Sequence, residues 1–171
     1  VSYYILYGFD LTLATASPTG RVVYPSGVAN SAFTPAAWSG SAFNYGGWAA
    51  DNWFMPKPCM LNANGTVAYF LNPNNYAQKA DGTASDIANT SFNGNAMMQW
   101  PKIFVSRTEV GGVYKFRICN IKLDSTFECW SNYDQANNEI PYFYMPIYFG
   151  SNISSKLRSL SGQANMVSQT G

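Results

Sequence analysis

The feature that most constrains the fold is a period-two pattern beside a pair of glycines, Gly111 and Gly112. After them the chain alternates apolar side chains with polar or small ones: Tyr114, Phe116 and Ile118 against Lys115, Arg117 and Cys119. Alternation with this period is typical of a β-strand that has one face on a core and the other in solvent. The sequence therefore predicts an antiparallel hairpin over residues 102–123, turning at 110–112, with the apolar set buried and the charged residues exposed.

Other short stretches rich in aromatic and β-branched residues are separated by turn residues, and segments with helical periodicity are scarce. Strands are predicted at 2–9, 21–24 and 66–71, a type I′ turn at Asn64-Gly65, and a second hairpin from 127–132 and 140–149. The triplet Asp81-Gly82-Thr83 repeats the turn chemistry of Asn64-Gly65-Thr66. The predicted fold class is mainly β with little helix, built from irregular antiparallel hairpins.

The length of 171 residues suits one domain or two small ones. Composition predicts an N-terminal β and aromatic-loop segment at 1–60, a hairpin core at 61–150 and a polar tail at 151–171, with one domain over 1–171 as the alternative. The tail is rich in serine, and we expect Leu157 and Leu160 to be its main anchors. No closing strand or helix is predicted there, which indicates an incomplete fold.

The chain contains no histidine, and this excludes several classes of site within it. A Ser-His-Asp triad, a Cys-His pair and any His-ligated zinc site all require that residue. The cysteines Cys59, Cys119 and Cys129 are too few and too dispersed for a four-cysteine zinc site. Buried free thiols are the simplest interpretation, with a pair between Cys119 and Cys129 left open. We therefore predict no cofactor and no transition metal.

Charge is scarce, with only 11% of residues charged and a net charge of +1. That composition provides no basic face for nucleic acid. No stretch of the sequence approaches the roughly 20 apolar residues that a membrane-spanning helix needs. The sequence therefore predicts neither nucleic-acid binding nor membrane insertion.

The few carboxylates offer two candidate sites, each with a simpler interpretation. Asp81 and Asp86 share an Asn-rich loop that could bind Ca²⁺, although Asx turns account for the same residues. Asp124 with Glu128, or Asp134 with Glu139, could form the carboxylate pair of a glycosidase. Because these residues fall mostly in predicted turns, solvated side chains are favoured over catalysis. The prediction is that the chain is not an enzyme.

Aromatic residues make up 16% of the chain, and several interrupt the Gly-, Ser- and Ala-rich region 25–52. A flexible linker would not carry so much apolar surface, so this region is predicted to be an ordered loop pinned by its aromatic side chains. Aromatic rings combined with amides suit the recognition of sugars or proteins. The candidate contact residues on or beside this loop are Trp38, Tyr45, Trp48 and Trp53.

Blocks of sequence along nearly the whole chain resemble, in the same order, a family of phage-encoded tail or tail-fibre virion proteins from phages and prophages of gut anaerobes. The matching blocks are residues 7–9, 21–24, 54–61 (FMPKPCML), 64–67, 79–86, 94–103 (GNAMMQWPKI), 128–130, 142–144, 148–151 and 156–162. The later part also resembles the opening strands of C-type-lectin-like domains in phage receptor-binding proteins, in which a ligand-binding half follows an LRSxSG stretch. The resemblance implies that this half lies beyond Gly171. This sequence departs from the family pattern in two ways. It has no calcium-lectin motif of the Glu-Pro-Asn type, and it has Asp10 where relatives often have a basic residue.

The resemblance implies a virion structural protein of the tail or fibre that presents a host-receptor-binding surface without catalysis. The expected partners are other virion subunits, copies of the same chain (a trimer by analogy with phage fibres) and a host-surface glycan or protein. The expected location is the virion, assembled in the cytoplasm of the bacterial host. Because the chain starts at Val1 without a signal peptide, we expect its natural N-terminus to be missing or processed. The alternatives are a tail-associated glycan depolymerase and a bacterial surface adhesin derived from a prophage.

Overall fold

The computed structural model describes residues 4–14, 21–34, 36–40, 42–50 and 53–166. Within these ranges the chain forms antiparallel strands and a single short 3-10 helix, Gly46–Ala50, which confirms the predicted fold class. The strands are β1 (Leu6–Thr12), β2 (Val22–Val23), β3 (Ala37–Ser39), β4 (Ala42–Asn44), β5 (Lys57–Asn62), β6 (Val67–Asn72), β7 (Asn75–Lys79), β8 (Gly94–Pro101), β9 (Phe104–Val110), β10 (Val113–Cys119), β11 (Phe127–Glu128), β12 (Tyr142–Pro146), β13 (Ser151–Ile153) and β14 (Lys156–Arg158). The start of the predicted strand 2–9 lies outside the described residues.

The chain divides into two compact units, and each is built from two separate stretches of sequence. Unit 1 contains Val1–Phe54 and Lys102–Pro141, and unit 2 contains Met55–Pro101 and Tyr142–Gly171. This division does not follow the consecutive segments 1–60, 61–150 and 151–171, because strands distant in sequence pair with each other in both units.

The sheet of unit 1 has the strand order β11-β9-β10-β1-β2, and its centre is the predicted hairpin. Strands β9 and β10 pair antiparallel from Val110 opposite Val113 onward. Gly111 and Gly112 connect them with φ of 61° and 79°, the positive values that a two-residue type I′ turn requires. The hairpin and its turn are therefore confirmed. Its apolar residues are half-buried rather than fully buried: Tyr114, Phe116 and Ile118.

The expected exposure of the charged residues on β10 is wrong for Arg117. Its guanidinium forms an ion pair with Asp10 at 2.6 Å and donates a hydrogen bond to the carbonyl of Phe9 at 2.9 Å. The Arg117 side chain reaches these partners by crossing Gly8, where any side chain would overlap it. Lys115 is half-buried as well. Contacts with the neighbouring strand β1 thus take Arg117 partly out of solvent, on the face that alternation alone assigns to solvent.

The opposite end of that face carries a small core cluster in unit 1. Its buried members are Phe104, Cys119, Phe127 and Cys129, with Leu6 and Ile121 packed against them. The cysteines are buried and free, as their dispersed positions predict. The thiols of Cys119 and Cys129 donate to different acceptors, Asn120 and Asn132, each at 3.6 Å.

The predicted second hairpin is wrong, because its two arms join different sheets. Strand β11 pairs with β9 in unit 1, whereas β12 pairs with β8 in unit 2. Between them, the Asp134 carboxylate accepts hydrogen bonds from the backbone N–H groups of Ala136 and Asn138. An antiparallel bridge between Tyr133 and Glu139 closes this turn, and the Ile140 N–H donates to the Asn132 carbonyl at 2.9 Å.

The sheet of unit 2 has the order β12-β8-β5-β6-β7. One of its faces packs on a core cluster that consists of Met60, Leu71, Ile87, Ala96 and Leu160. Strands β5 and β6 shift register by a bulge between Met60 and Leu61. Such a bulge bends the strand and increases its twist.

The two Gly-Thr turns of unit 2 share one geometry. In the turns at 62–66 and 79–83, the glycine N–H bonds to the carbonyl three residues earlier, and an Asn64 or Asp81 side-chain oxygen accepts two hydrogen bonds from the following threonine. Gly65 has a positive φ of 85°, but Asn64 does not, so the predicted type I′ turn is wrong. Asn64 accepts the Asx hydrogen bond with a negative φ, and only Gly65 adopts a positive φ in this turn.

The segment after Ser151 contains a closing element that the sequence analysis did not predict, the hairpin β13–β14. Arg158 is only 9% exposed, and it donates to the carbonyls of Gly94 (Nε, 2.9 Å) and Phe92. Leu160 is buried as expected, but Leu157 is 71% exposed and is not an anchor. The buried arginine therefore takes the anchoring role that the sequence analysis assigned to Leu157.

We expect Arg158→Ala to lower the free energy of unfolding by about 2–4 kcal/mol, because it removes a buried side chain that donates to the carbonyls of Gly94 and Phe92. Leu157→Ala, one residue away on the same strand, is the matched control and should cost less than about 0.5 kcal/mol. Urea denaturation of the two variants measures both values. Equal effects would show that the Arg158 contacts do not hold this segment.

Candidate functional site

The structure separates the four predicted contact residues into two groups. Trp38 lies on the hairpin β3–β4 and Tyr45 directly after it, whereas Trp48 lies in the 3-10 helix and Trp53 lies after that helix. Trp38 and Tyr45 are 71% and 59% exposed, and the other two are half-buried. The first pair is available to a partner, and the second pair packs within unit 1.

Three aromatic rings form an exposed surface on β3–β4, which we call the aromatic hairpin: Trp38, Phe43 and Tyr45. Trp38 and Phe43 are directly opposite each other across the hairpin, with ring centroids 5.2 Å apart. The Phe43 and Tyr45 rings meet edge to face at 4.9 Å. No residue between positions 22 and 50 is charged. The aromatic hairpin therefore offers a neutral surface for stacking and apolar contact.

The second group surrounds Tyr7, whose side chain is buried. Its ring lies 5.5 Å from Trp48, 5.9 Å from Trp53 and 5.5 Å from Phe54, measured between centroids. The Trp48 indole N–H also donates to the Tyr24 hydroxyl at 3.2 Å. The Trp48 and Trp53 rings therefore hold the loop onto β1, and a contact between them and a partner stays a prediction.

One polar residue that the sequence analysis missed, Asn30, attaches the same loop to the sheet. Its side chain is fully buried, and its amide accepts from the Gly8 N–H and donates to the Gly8 carbonyl, both at 2.9 Å. The neighbouring Ala29 N–H donates to the Leu6 carbonyl at 2.7 Å. Asn30 therefore bonds to β1 much as a neighbouring strand would. Nothing in the local sequence distinguishes it from the other asparagines of this Asn-rich chain.

Beside the Tyr7 cluster, an apolar cleft of about 490 Å³ opens on one face of the sheet of unit 1. Side chains and backbone from three neighbouring strands, the short edge strand and the aromatic loop line it: Tyr7, Gly8, Phe9, Val22, Tyr24, Trp48, Val105, Phe116, Arg117 and Ile118. Tyr7 is opposite Ile118 in the ladder, and Phe9 is opposite Phe116, with the Phe9 and Phe116 rings stacked at 4.9 Å. The alternation on β10 could have indicated the sheet residues that line this cleft. The loop residues that line it could not be predicted, because only tertiary packing brings them there.

Each carboxylate that the sequence analysis considered as a candidate has a hydrogen-bond or ion-pair partner in the structure. The turn carboxylates Asp81, Asp124 and Asp134 accept hydrogen bonds from residues two to four positions later, and these bonds lower their pKa values. Glu139 pairs with Lys102 at 2.8 Å, which also lowers its pKa. Glu128 pairs with Lys122 at 3.5 Å.

These contacts give no support to either of the two candidate carboxylate sites. A glycosidase acid needs a raised pKa, whereas every carboxyl pKa shift resolved in the described chain is downward. Asp81 bonds to Thr83, while Asp86 bonds to Asn89 and Tyr69, so the two carboxylates serve different contacts. Among the described residues, no three Asp, Glu or Cys side chains gather as a metal site would require.

Comparison with protein-family models, with curated proteins and with solved structures finds no match to this chain. In the described ranges, no helix has the length and apolarity needed to span a membrane.

The contact between Tyr69 and Asp86 gives a pH-dependent prediction. The Tyr69 hydroxyl donates to the Asp86 carboxylate at 2.9 Å and accepts from the Asp86 N–H at 2.7 Å. Hydrogen bonds from Asn89 and then Tyr69 lower the Asp86 pKa, while burial raises the Tyr69 pKa to about 12. Stability from Asp86 is therefore lost as pH falls below its usual pKa, and that from Tyr69 is lost as pH rises above the usual tyrosine value.

We expect Tyr69→Phe to cost about 1–2 kcal/mol of unfolding free energy near neutral pH. The difference from the unsubstituted chain should shrink below pH ~3.8 and above pH ~10, the ordinary pKa values of aspartate and tyrosine. Urea denaturation across this range measures it. A difference that stays constant with pH would contradict the bond to an ionised Asp86.

Proposed function

We propose that this chain is a structural protein of a phage tail or tail fibre that holds and presents a host-receptor-binding surface without catalysis. The supporting observation is the aromatic hairpin, where Trp38 and Tyr45 stay largely in solvent while Trp48 and Trp53 are half-buried against Tyr7. Exposed aromatic residues are enriched at recognition surfaces because they give large contact area at low entropic cost.

The same proposal includes assembly with other virion subunits and copies of this chain, with a trimer as the preferred stoichiometry. Several large apolar side chains are more than two-thirds exposed in the single chain: Trp38, Trp130, Phe149 and Leu157. Exposed apolar surface of this kind commonly marks protein interfaces. The antiparallel hairpins also fit the proposed C-type-lectin-like fold.

A location in the virion is tested by immunogold electron microscopy with antibodies against this chain. Phage particles are purified from cells that carry the gene, and the expected result is gold at the tail or its fibres. Unlabelled particles, with the protein found only in the cell fraction or only on the bacterial surface, would contradict the proposal. Surface labelling alone would favour an adhesin.

A test of the binding surface uses fluorescently labelled chain and whole cells of the bacterial host. The double variant Trp38→Ala/Tyr45→Ala should bind roughly tenfold less tightly, because aromatic anchors dominate binding energy at interfaces. Tyr142→Ala is the control, since Tyr142 is an exposed aromatic residue of unit 2 and lies outside the aromatic hairpin. Undiminished binding by the double variant, with its fold intact by circular dichroism, would remove the aromatic hairpin as the contact surface.

A further inference from the structure

We infer that the apolar cleft of unit 1 is a binding site for a small, uncharged, largely apolar molecule. The cleft volume of about 490 Å³ falls in the range of small-molecule sites. The site is distinct from the aromatic hairpin, and the inference does not depend on the function proposed above.

The strand register places the apolar side chains of the cleft on one face of the sheet. Tyr7 on β1 is opposite Ile118 on β10, and Ile118 is opposite Val105 on β9. Phe9 and Phe116 form the next pair along the same face. This floor is therefore a continuous apolar surface supported by three hydrogen-bonded strands.

The loop provides the other wall and leaves the cleft open. Trp48 is fixed by its ring contact with Tyr7 and by its hydrogen bond to the Tyr24 hydroxyl. Val22, on the edge strand β2, remains 47% exposed beside it. The walls are thus held by the sheet and by the Tyr7 cluster, as expected of a preformed site.

The charge around the cleft indicates a neutral ligand. Among the described residues of the lining, Arg117 alone is charged, and its guanidinium is paired with Asp10 at 2.6 Å and bonded to the carbonyls of Phe9 and Phe116. Its charge is therefore compensated, and those donors are in use. A charged ligand group that is buried here would find no free counter-charge among the described lining residues, so nothing would offset the cost of its desolvation.

One further cation lies outside the lining. The Arg107 guanidinium is 5.9 Å from the Phe116 ring centroid and 5.6 Å from that of Tyr114. An anionic amphiphile with its head group at Arg107 is therefore the competing ligand class, and the experiment must distinguish it from a neutral ligand.

The probe is N-phenylnaphthylamine, a neutral dye with linked aromatic rings whose fluorescence rises in apolar surroundings. We expect saturable binding to the whole chain with one site. Val22→Trp should weaken binding roughly tenfold or more by filling the mouth of the cleft. Val23→Trp is the matched control and should bind as the unsubstituted chain does, because Val23 is 54% exposed on the same strand but lies on the opposite face.

Three further measurements complete the test. The sulfonated analogue, anilinonaphthalene sulfonate, should bind more weakly than the neutral dye, and tighter binding of the sulfonate would overturn the choice of a neutral ligand. Trp38→Ala should leave dye binding unchanged, and its loss would place the dye on the aromatic hairpin instead. Dye binding that rises on dilution, as oligomers dissociate in light scattering, would show that a second copy covers the cleft. No saturable binding, or equal loss in both valine variants, would also overturn the inference.

Discussion

The hydrogen bonds between the Asn30 amide and the backbone of Gly8 are the constraint on which unit 1 depends. Strand β2 pairs with β1 only at Asp10 and Leu11, so another group must satisfy the backbone of β1 at Gly8. A buried peptide group without a partner is costly, and one side-chain amide supplies both the acceptor and the donor that it needs. The loop that carries Asn30 is thereby fixed beside the sheet.

The aromatic packing and the cleft follow from this attachment. With the loop in place, Trp48, Trp53 and Phe54 surround Tyr7 on one face of β1. On the other face, Gly8 leaves room for Arg117 to reach Asp10. Tyr7 therefore contacts the aromatic cluster on one face of β1, and Asp10 pairs with Arg117 on the other face. The apolar cleft lies on the same face as the Tyr7 ring.

Local sequence patterns predicted the positions of the strands better than they predicted which strands pair with each other. The paired glycines at 111–112 and the alternation after them encode the β9–β10 hairpin within a short stretch, so its pairing was predictable. Strands β11 and β12 are close in sequence but pair with β9 and β8, which depends on contacts that no local pattern records. The buried roles of Asn30 and Arg158 likewise depend on backbone carbonyls far away in sequence. For the same reason, the exposed Trp38 and the half-buried Trp48 could not be distinguished from the sequence.

The most direct measurement is amide hydrogen exchange at Gly8 in an Asn30→Ala variant, with near-ultraviolet circular dichroism on the same sample. If Asn30 holds the loop to β1, exchange at Gly8 becomes faster and the aromatic dichroism falls. In unit 2, the Ala96 amide, which donates to the Ser159 carbonyl at 2.8 Å, should stay protected. Asn44→Ala is the control, because Asn44 is exposed and its side chain bonds only to the nearby Gly46 N–H within the described chain. Unchanged exchange at Gly8 and unchanged aromatic dichroism in Asn30→Ala would contradict the central role of this amide.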